Sequence, residues 1–357
     1  MAGTTTETAP PAAVEERLRQ VSPIKKLLTR PELGALVGVV IVWAFFAIVA
    51  WDNNFVSWSV TAAILNRAAP LGILAVAVAL LMIAGEFDLS VGSAIGFSGM
   101  VVMILVTPEA MGGLGWGLWP AILAALVIML VVGFFNGTLV ILTRLPSFII
   151  TLGMLLILRG LAIAVPRVMT NRTQLSGLGQ VEGYGLAHAL FAKQIQLFGS
   201  AFRVSILWWV GLTALATWVL LRTRQGNWIF GAGGAADAAR NIGVPVVRVK
   251  VALFMMTAVA AMLAMLVTVI PADGADSLRG TLREFEAIIA VVIGGTLLTG
   301  GYGSAVGAFL GALIFAMVQQ GIIVTGVDGD WFQVFVGAVL VLAVIFNNYV
   351  RQKAMRG

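Results

Sequence analysis

No cysteine occurs among the 357 residues, and histidine occurs once, as His188. The first absence excludes disulfides, thiolate metal sites and thiol catalysis together, and the second leaves little for metal or triad chemistry. No Gly-x-x-x-x-Gly-Lys-Ser/Thr run is present, so this chain has no phosphate loop with which to hydrolyse a nucleotide. Charge is scarce as well. Asp, Glu, Lys and Arg make up 11% of residues against 60% hydrophobic, and mean hydropathy is +1.01, a balance that excludes a soluble domain of this length. The apolar signal comes as long runs and not as ten-residue alternating stretches, which disfavours a β-barrel. The fold class is therefore all-α, a polytopic membrane protein. A net charge of +6 and a pI near 10.2 would suit nucleic acid, but the basic residues are dispersed among loops without aromatic interleaving, so no nucleic-acid partner is expected.

Ten spans are predicted, near Gly34–Trp51, Ala68–Ala84, Leu89–Val106, Leu118–Leu142, Ser147–Val165, Val204–Leu221, Val251–Ile270, Ala287–Thr299, Ala305–Thr325 and Trp331–Phe346. Two deviate from a plain crossing: Leu89–Val106 is headed by an acidic break, and Ala287–Thr299 is short and carries Gly294 and Gly295. Interrupted segments in both halves of a chain point to a transport pathway. With the N-terminus inside, fourteen basic residues fall in inner segments and six in outer ones, which places both termini in the cytoplasm. Residues 1–30, opening with Thr, Ala, Pro and Glu, read as a disordered cytoplasmic tail and not as a secretory signal. The transmembrane domain is 31–350, with a large cytoplasmic loop at 222–250, and 351–357 is a second tail. Residues 166–203 form the longest external segment, suited to an interfacial helix or a receptor-facing surface. Trp43, Trp51, Trp58, Trp116, Trp119 and Trp331 fall near span boundaries, where interface anchors belong.

Residues 85–99, Gly-Glu-Phe-Asp-Leu-Ser-Val-Gly-Ser-Ala-Ile-Gly-Phe-Ser-Gly, set Glu86 and Asp88 among lipid-compatible segments. Carboxylates at that depth need backbone donors, a wet cavity or partner protein. Asp88 can cap the following span by accepting from the N–H groups near Ser90 and Val91; the alternative puts Glu86, Asp88 and Ser90 at a water-lined gate. Asn136 with Gly137, the Gly294-Gly295-Thr296 step, and Gln319, Gln320 and Gly321 are candidates for lining the pathway or for hydrogen bonds between helices. Gly307 and Gly311 form a Gly-x-x-x-Gly pair that permits close packing, and Arg159 is placed to snorkel outward. His188 has no assigned role.

In the large loop, residues 235–242 favour a short helix with Gly243 as its C-terminal cap, followed by Pro245. Ala235, Ala238, Ala239 and Ile242 fall on one face at helical spacing, beside Asp237 and Arg240, while Gly234 and Ala236 complete the turn into it. Such a small-residue face suits docking into a groove on another protein, where it can carry force.

Taken in order, Gly85-Glu-Phe-Asp-Leu-Ser-Val-Gly-Ser93, the Gly231–Pro245 loop, and the run from Glu286 through Gly294-Gly295-Thr296 to Gly303 resemble the membrane permeases of ribose-type sugar importers driven by an ABC ATPase. The resemblance covers roughly residues 35–348. It implies a permease fold in a bacterial inner membrane, with a second permease copy (identical or a paralogue), a cytoplasmic ATPase that supplies ATP and Mg chemistry, and an extracytoplasmic sugar-binding protein as partners. No cofactor is expected in this chain, and no enzymatic activity. By the same resemblance residues 234–240, 242, 243 and 245 couple to the ATPase. Family members often have Gly-Gly-Asn where this chain has Gly233-Gly234-Ala235, and Gly where it has Glu86. Permeases for branched-chain amino acids or nucleosides, an ion-coupled secondary transporter and a membrane scaffold are the competing readings.

Overall fold

Hydrocarbon offers no hydrogen bonds, so an apolar run must satisfy its own backbone, and a helix does this along its whole length. The computed structural model describes residues 31–329, 331–335, 337–338 and 341; both predicted tails and half of the tenth span lie outside them. Among the described residues seven helices are long and apolar enough to cross a membrane: α1 (Pro31–Val49), α2 (Trp58–Ile83), α4 (Leu118–Thr143), α5 (Ser147–Thr170), α7 (Ser205–Arg222), α10 (Val246–Val269) and α12 (Ala305–Val324). Shorter helices are α3 (Val91–Val106), α6 (Tyr184–Phe191), α8 (Arg224–Gly234), α9 (Ala236–Asn241) and α11 (Arg283–Ile293).

Two predicted boundaries are corrected. The second span starts at Trp58 and not Ala68, capped by Ser57, whose hydroxyl accepts from Val60 N–H. Asn66, inside this helix, is satisfied by a hairpin of β2 (Gln194–Leu197) and β3 (Ser200–Arg203): its amide donates to Ala201 O at 2.9 Å and accepts from Arg203 N at 2.8 Å. The predicted span Ala287–Thr299 is an 11-residue helix that ends at Ile293, about 16 Å long and too short to cross. Gly294 and Gly295 end it, the latter at φ +87°, where glycine alone is unstrained. The outer segment is ordered, with β1 (Gln174–Ser176) pairing antiparallel to β4 (Gly274–Asp276) and α6 lying beside the hairpin.

The packing has an approximate twofold logic. Each broken region, α2–break–α3 and α10–break–α11, is followed by a long helix, α4 or α12. Then α4 packs on α10 while α12 packs on α2, and α3 meets α10 while α11 meets α2. Because α2 ends and α10 begins beside α8, these two run in opposite directions, as in an inverted repeat. Glycines permit the contacts: a methyl at Gly137 would sit 2.8 Å from Val251 Cα, and one at Gly311 would overlap Ala290 O. The Gly307–Gly311 pair thus does the close packing predicted for it. α2 is the most enclosed span, 78% buried, whereas α1 and α5 are 17% buried and form the periphery.

Candidate translocation and coupling site

Between Ile83 and Val91 the chain leaves the helix, and its backbone groups need partners from neighbours. They come from the start of α5: Phe87 N donates to Ser147 Oγ at 2.9 Å and Leu89 N to Thr151 Oγ1 at 3.0 Å. Asp88, 2% exposed, accepts on one carboxylate oxygen from Ser90 N (2.9 Å) and Ser90 Oγ (2.6 Å), and on the other from Thr257 Oγ1 of α10 (2.7 Å). Asn136 of α4 donates to Ser90 Oγ at 2.9 Å. Asp88, Ser90 and Asn136 therefore form one enclosed network tying α3 to α4 and α10. The anticipated Val91 N–H is not a donor to it; Thr257, 169 residues away, takes that place. Glu86 pairs with Lys250 Nζ at 2.5 Å, both side chains only 12% exposed, and this pins the break to the start of α10.

The large loop holds two helices, not one. α8 opens with Thr223 accepting from Gly226 N, and only α9 was legible beforehand, since the polar, Gly-containing start of α8 resembles a loop. α9 ends as predicted, with Gly243 at φ +87°. The predicted face is divided. Ala235 sits at φ −157° between α8 and α9, so it does not continue a helical stripe. Ala239 is buried and Ala236 half-buried against the chain, while Ala235, Ala238 and Ile242 point outward, Ile242 83% exposed. Asp237 and Arg240 pair at 3.0 Å on the exposed side. Gly234 and Pro245 flank the unit.

The end of α8 meets the first break and the loop between α11 and α12 at a junction of glycines. Gly301 N donates to Ile83 O at 2.8 Å. A methyl at Gly233 would overlap Ile83 O and lie 2.7 Å from Gly301 N; one at Gly300 would lie 2.8 Å from Gly85 Cα, and one at Gly301 2.7 Å from Gly234 Cα. Three backbone segments touch here without intervening side chains, so a displacement of α8 directly reaches the first break and the loop between α11 and α12.

A charged face lies deeper in the bundle. Arg159, at the middle of the 24-residue α5, donates to Thr281 Oγ1 at 2.6 Å and so turns to the second break, not outward. Arg283 pairs with Glu286 at 2.7 Å, and Arg67 of α2 is within Coulombic reach of Arg283. Glu284 is 3% exposed, facing Arg159 and packed on Gly92. Partly exposed cations at such depth cost several kcal/mol against lipid, so this face meets water or protein. The remaining candidates lie apart from it: Gly294 packs on Gly307, Thr296 is buried without a partner for its hydroxyl among the described residues, and of the pair on α12 Gln320 is buried and Gln319 half-buried. Arg67, Arg283, Glu284, Lys250 and Thr257 were not singled out from sequence; a cation or acid inside an otherwise apolar stretch was the available signal.

Two interrupted spans, a charged face at depth and a helical arm joined to the first break and to the loop after α11 define a membrane transport permease. The chain belongs to the family described as branched-chain amino acid transport system / permease component, whose model matches residues 60–344. It is 32% identical to the ribose import permease protein RbsC of Escherichia coli K12, over 80% of this chain and 84% of that one. It is 29% identical to the xylose transport system permease protein XylH of the same strain (90% and 93%) and 27% identical to the fructose import permease protein FrcC of Rhizobium meliloti (92% and 88%). No solved structure matches.

Proposed function

We propose that this chain is the permease subunit of an ATP-driven importer of a monosaccharide or related polyol in a bacterial inner membrane. Import permeases for ribose, xylose and fructose among its relatives support the solute class. Two copies enclose the conduit, an extracytoplasmic binding protein delivers the sugar, and a cytoplasmic ATPase, carrying ATP and Mg, grips the exposed side of α9. The chain is non-catalytic, and both termini and α8–α9 are cytoplasmic. The observation that carries this reading is the glycine junction: force applied to α9 passes through α8 to the first break and to the loop between α11 and α12, and so to both halves of the chain, as alternating access requires. Arg67, Arg159, Arg283 and Glu286 line the conduit and offer donors and acceptors to sugar hydroxyls. Asp88, Ser90 and Asn136 hold the pathway's walls together.

The test is sugar uptake in proteoliposomes containing this chain, its ATPase and its binding protein, with leucine as the competing solute. Ala238→Glu places a carboxylate in the docking contact, at a cost of several kcal/mol; uptake per ATP hydrolysed falls at least about tenfold while the permease folds normally. Ala239→Glu, facing inward, destabilises the permease itself. Concentration of sugar by this chain alone, or ATP-driven uptake of leucine and not sugar, refutes the reading.

A further inference from the structure

A groove of 540 Å³ runs along α2, α7 and α10 and is closed at one end by α8. Its wall is apolar from Leu263 to Val249 except at the α8 end, where Gln225, Trp228 and Arg248 stand together. Along α10 the span from Leu263 to Arg248 measures about 22 Å, a little more than one leaflet's share of a hydrocarbon core about 30 Å thick. Arg248 is exposed and has no ion pair among the described residues. Arg224, also exposed, precedes Gln225. An apolar slot one leaflet deep, ending in an unpaired guanidinium beside an indole, has the chemistry of an acyl chain below and a phosphate above.

We propose that this groove holds one anionic phospholipid of the inner leaflet, its acyl chain between α2 and α10 and its phosphate on Arg248. The assignment rests on the orientation given above, with α8 cytoplasmic. The occupant is a lipid and not a protein helix because the slot ends in the charge of Arg248 at headgroup level, and because Leu80, Ala216 and Leu253 line it with no polar group between its two ends. Since α8 forms both the floor of this groove and the arm that reaches the glycine junction, a bound lipid wedges the lever against α10.

The full-length chain in its transporter complex, purified from membranes and examined by native mass spectrometry, retains phosphatidylglycerol. In nanodiscs, phosphatidylglycerol is preferred over phosphatidylcholine. Arg248→Gln lowers that preference about fivefold, the effect of one cation near an anionic surface, and Arg248→Lys keeps it. Leu253→Trp, which fills the slot, releases the lipid with Arg248 intact. Equal retention in wild type, Arg248→Gln and Leu253→Trp overturns the proposal. So does a cross-link from a cysteine placed at Ala216 to a second copy or to residues 1–30. Sugar uptake is measured separately: failure of the wild type to transport sugar sinks the importer reading and leaves the lipid contrast standing.

Discussion

Gly231 and Gly233 sit two residues apart in α8, yet the structure assigns them opposite responses to the same methyl group. At Gly231 an added Cβ meets only Ala239 Cβ, at 3.5 Å, an ordinary contact. Alanine there removes a helix-interior glycine and gains about 0.8–1 kcal/mol of helix propensity. At Gly233 the methyl overlaps Ile83 O and comes within 2.7 Å of Gly301 N and 2.9 Å of Ala84 C. These are backbone atoms of two other segments, with no side chain to rotate away, so the overpacking cost of about 1–3 kcal/mol is paid in full and exceeds the propensity gain. The propensity gain is common to both positions, so the two variants differ by the overpacking cost, about 1–3 kcal/mol. Denaturation midpoints of the purified permease rank Gly231→Ala at or above wild type and Gly233→Ala below it. In proteoliposomes with the ATPase and binding protein, Gly233→Ala hydrolyses ATP with reduced uptake, because α8 no longer seats on the first break and the α11–α12 loop. Gly233→Ala matching Gly231→Ala in both assays refutes the close backbone junction and the coupling route built on it.

Two further outcomes follow from the buried polar contacts. Thr257→Val removes the only donor, among the described residues, to the second carboxyl oxygen of Asp88, leaving a buried polar atom short of a hydrogen bond; stability falls by about 1–3 kcal/mol, Thr257→Ser restores it, and Asp88→Asn keeps most uptake if the network is structural. A strong transport loss in well-folded Asp88→Asn points instead to a gate. Lys250→Met strands Glu86 and costs about 3–5 kcal/mol, whereas the exchange Glu86→Lys with Lys250→Glu recovers a large share; a double-mutant cycle that shows simple additivity rejects the pair as a pin.

The periodic apolar runs made α4, α5, α7, α10 and α12 legible with ends close to the observed ones, because lipid leaves a long apolar segment no alternative to the helix. The acidic interruption after Ile83 was visible for the same reason in reverse. What escaped depended on partners far along the chain. Asn66 sits inside α2 because a hairpin some 135 residues later satisfies its amide, and no local rule anticipates that. α11 begins at Arg283 in a charged stretch that scores as loop; its charges are tolerated by pairing with each other and by facing α2 and α5. The alanine stripe at 235–242 assumed one continuous helix, and the extended backbone at Ala235 turned its members to different sides. For the site, the short loop helix and its Gly243 cap were legible, and the acidic motif was placed correctly at a break. The division between buried network and exposed charged face was hidden, since it rests on which helices cross.

The exchange of long helices between the two halves bears on how the chain is made. Asp88 enters the membrane with the first hairpin, but Thr257 is synthesised 169 residues later, and α12, which backs α2, later still. Until those arrive the nascent first half carries a half-satisfied carboxylate and an uncovered small-residue seam in hydrocarbon, a form that quality-control proteases and insertion chaperones can recognise. The final third of the chain thus supplies what its first third lacks, the second partner of Asp88 and the cover of α2.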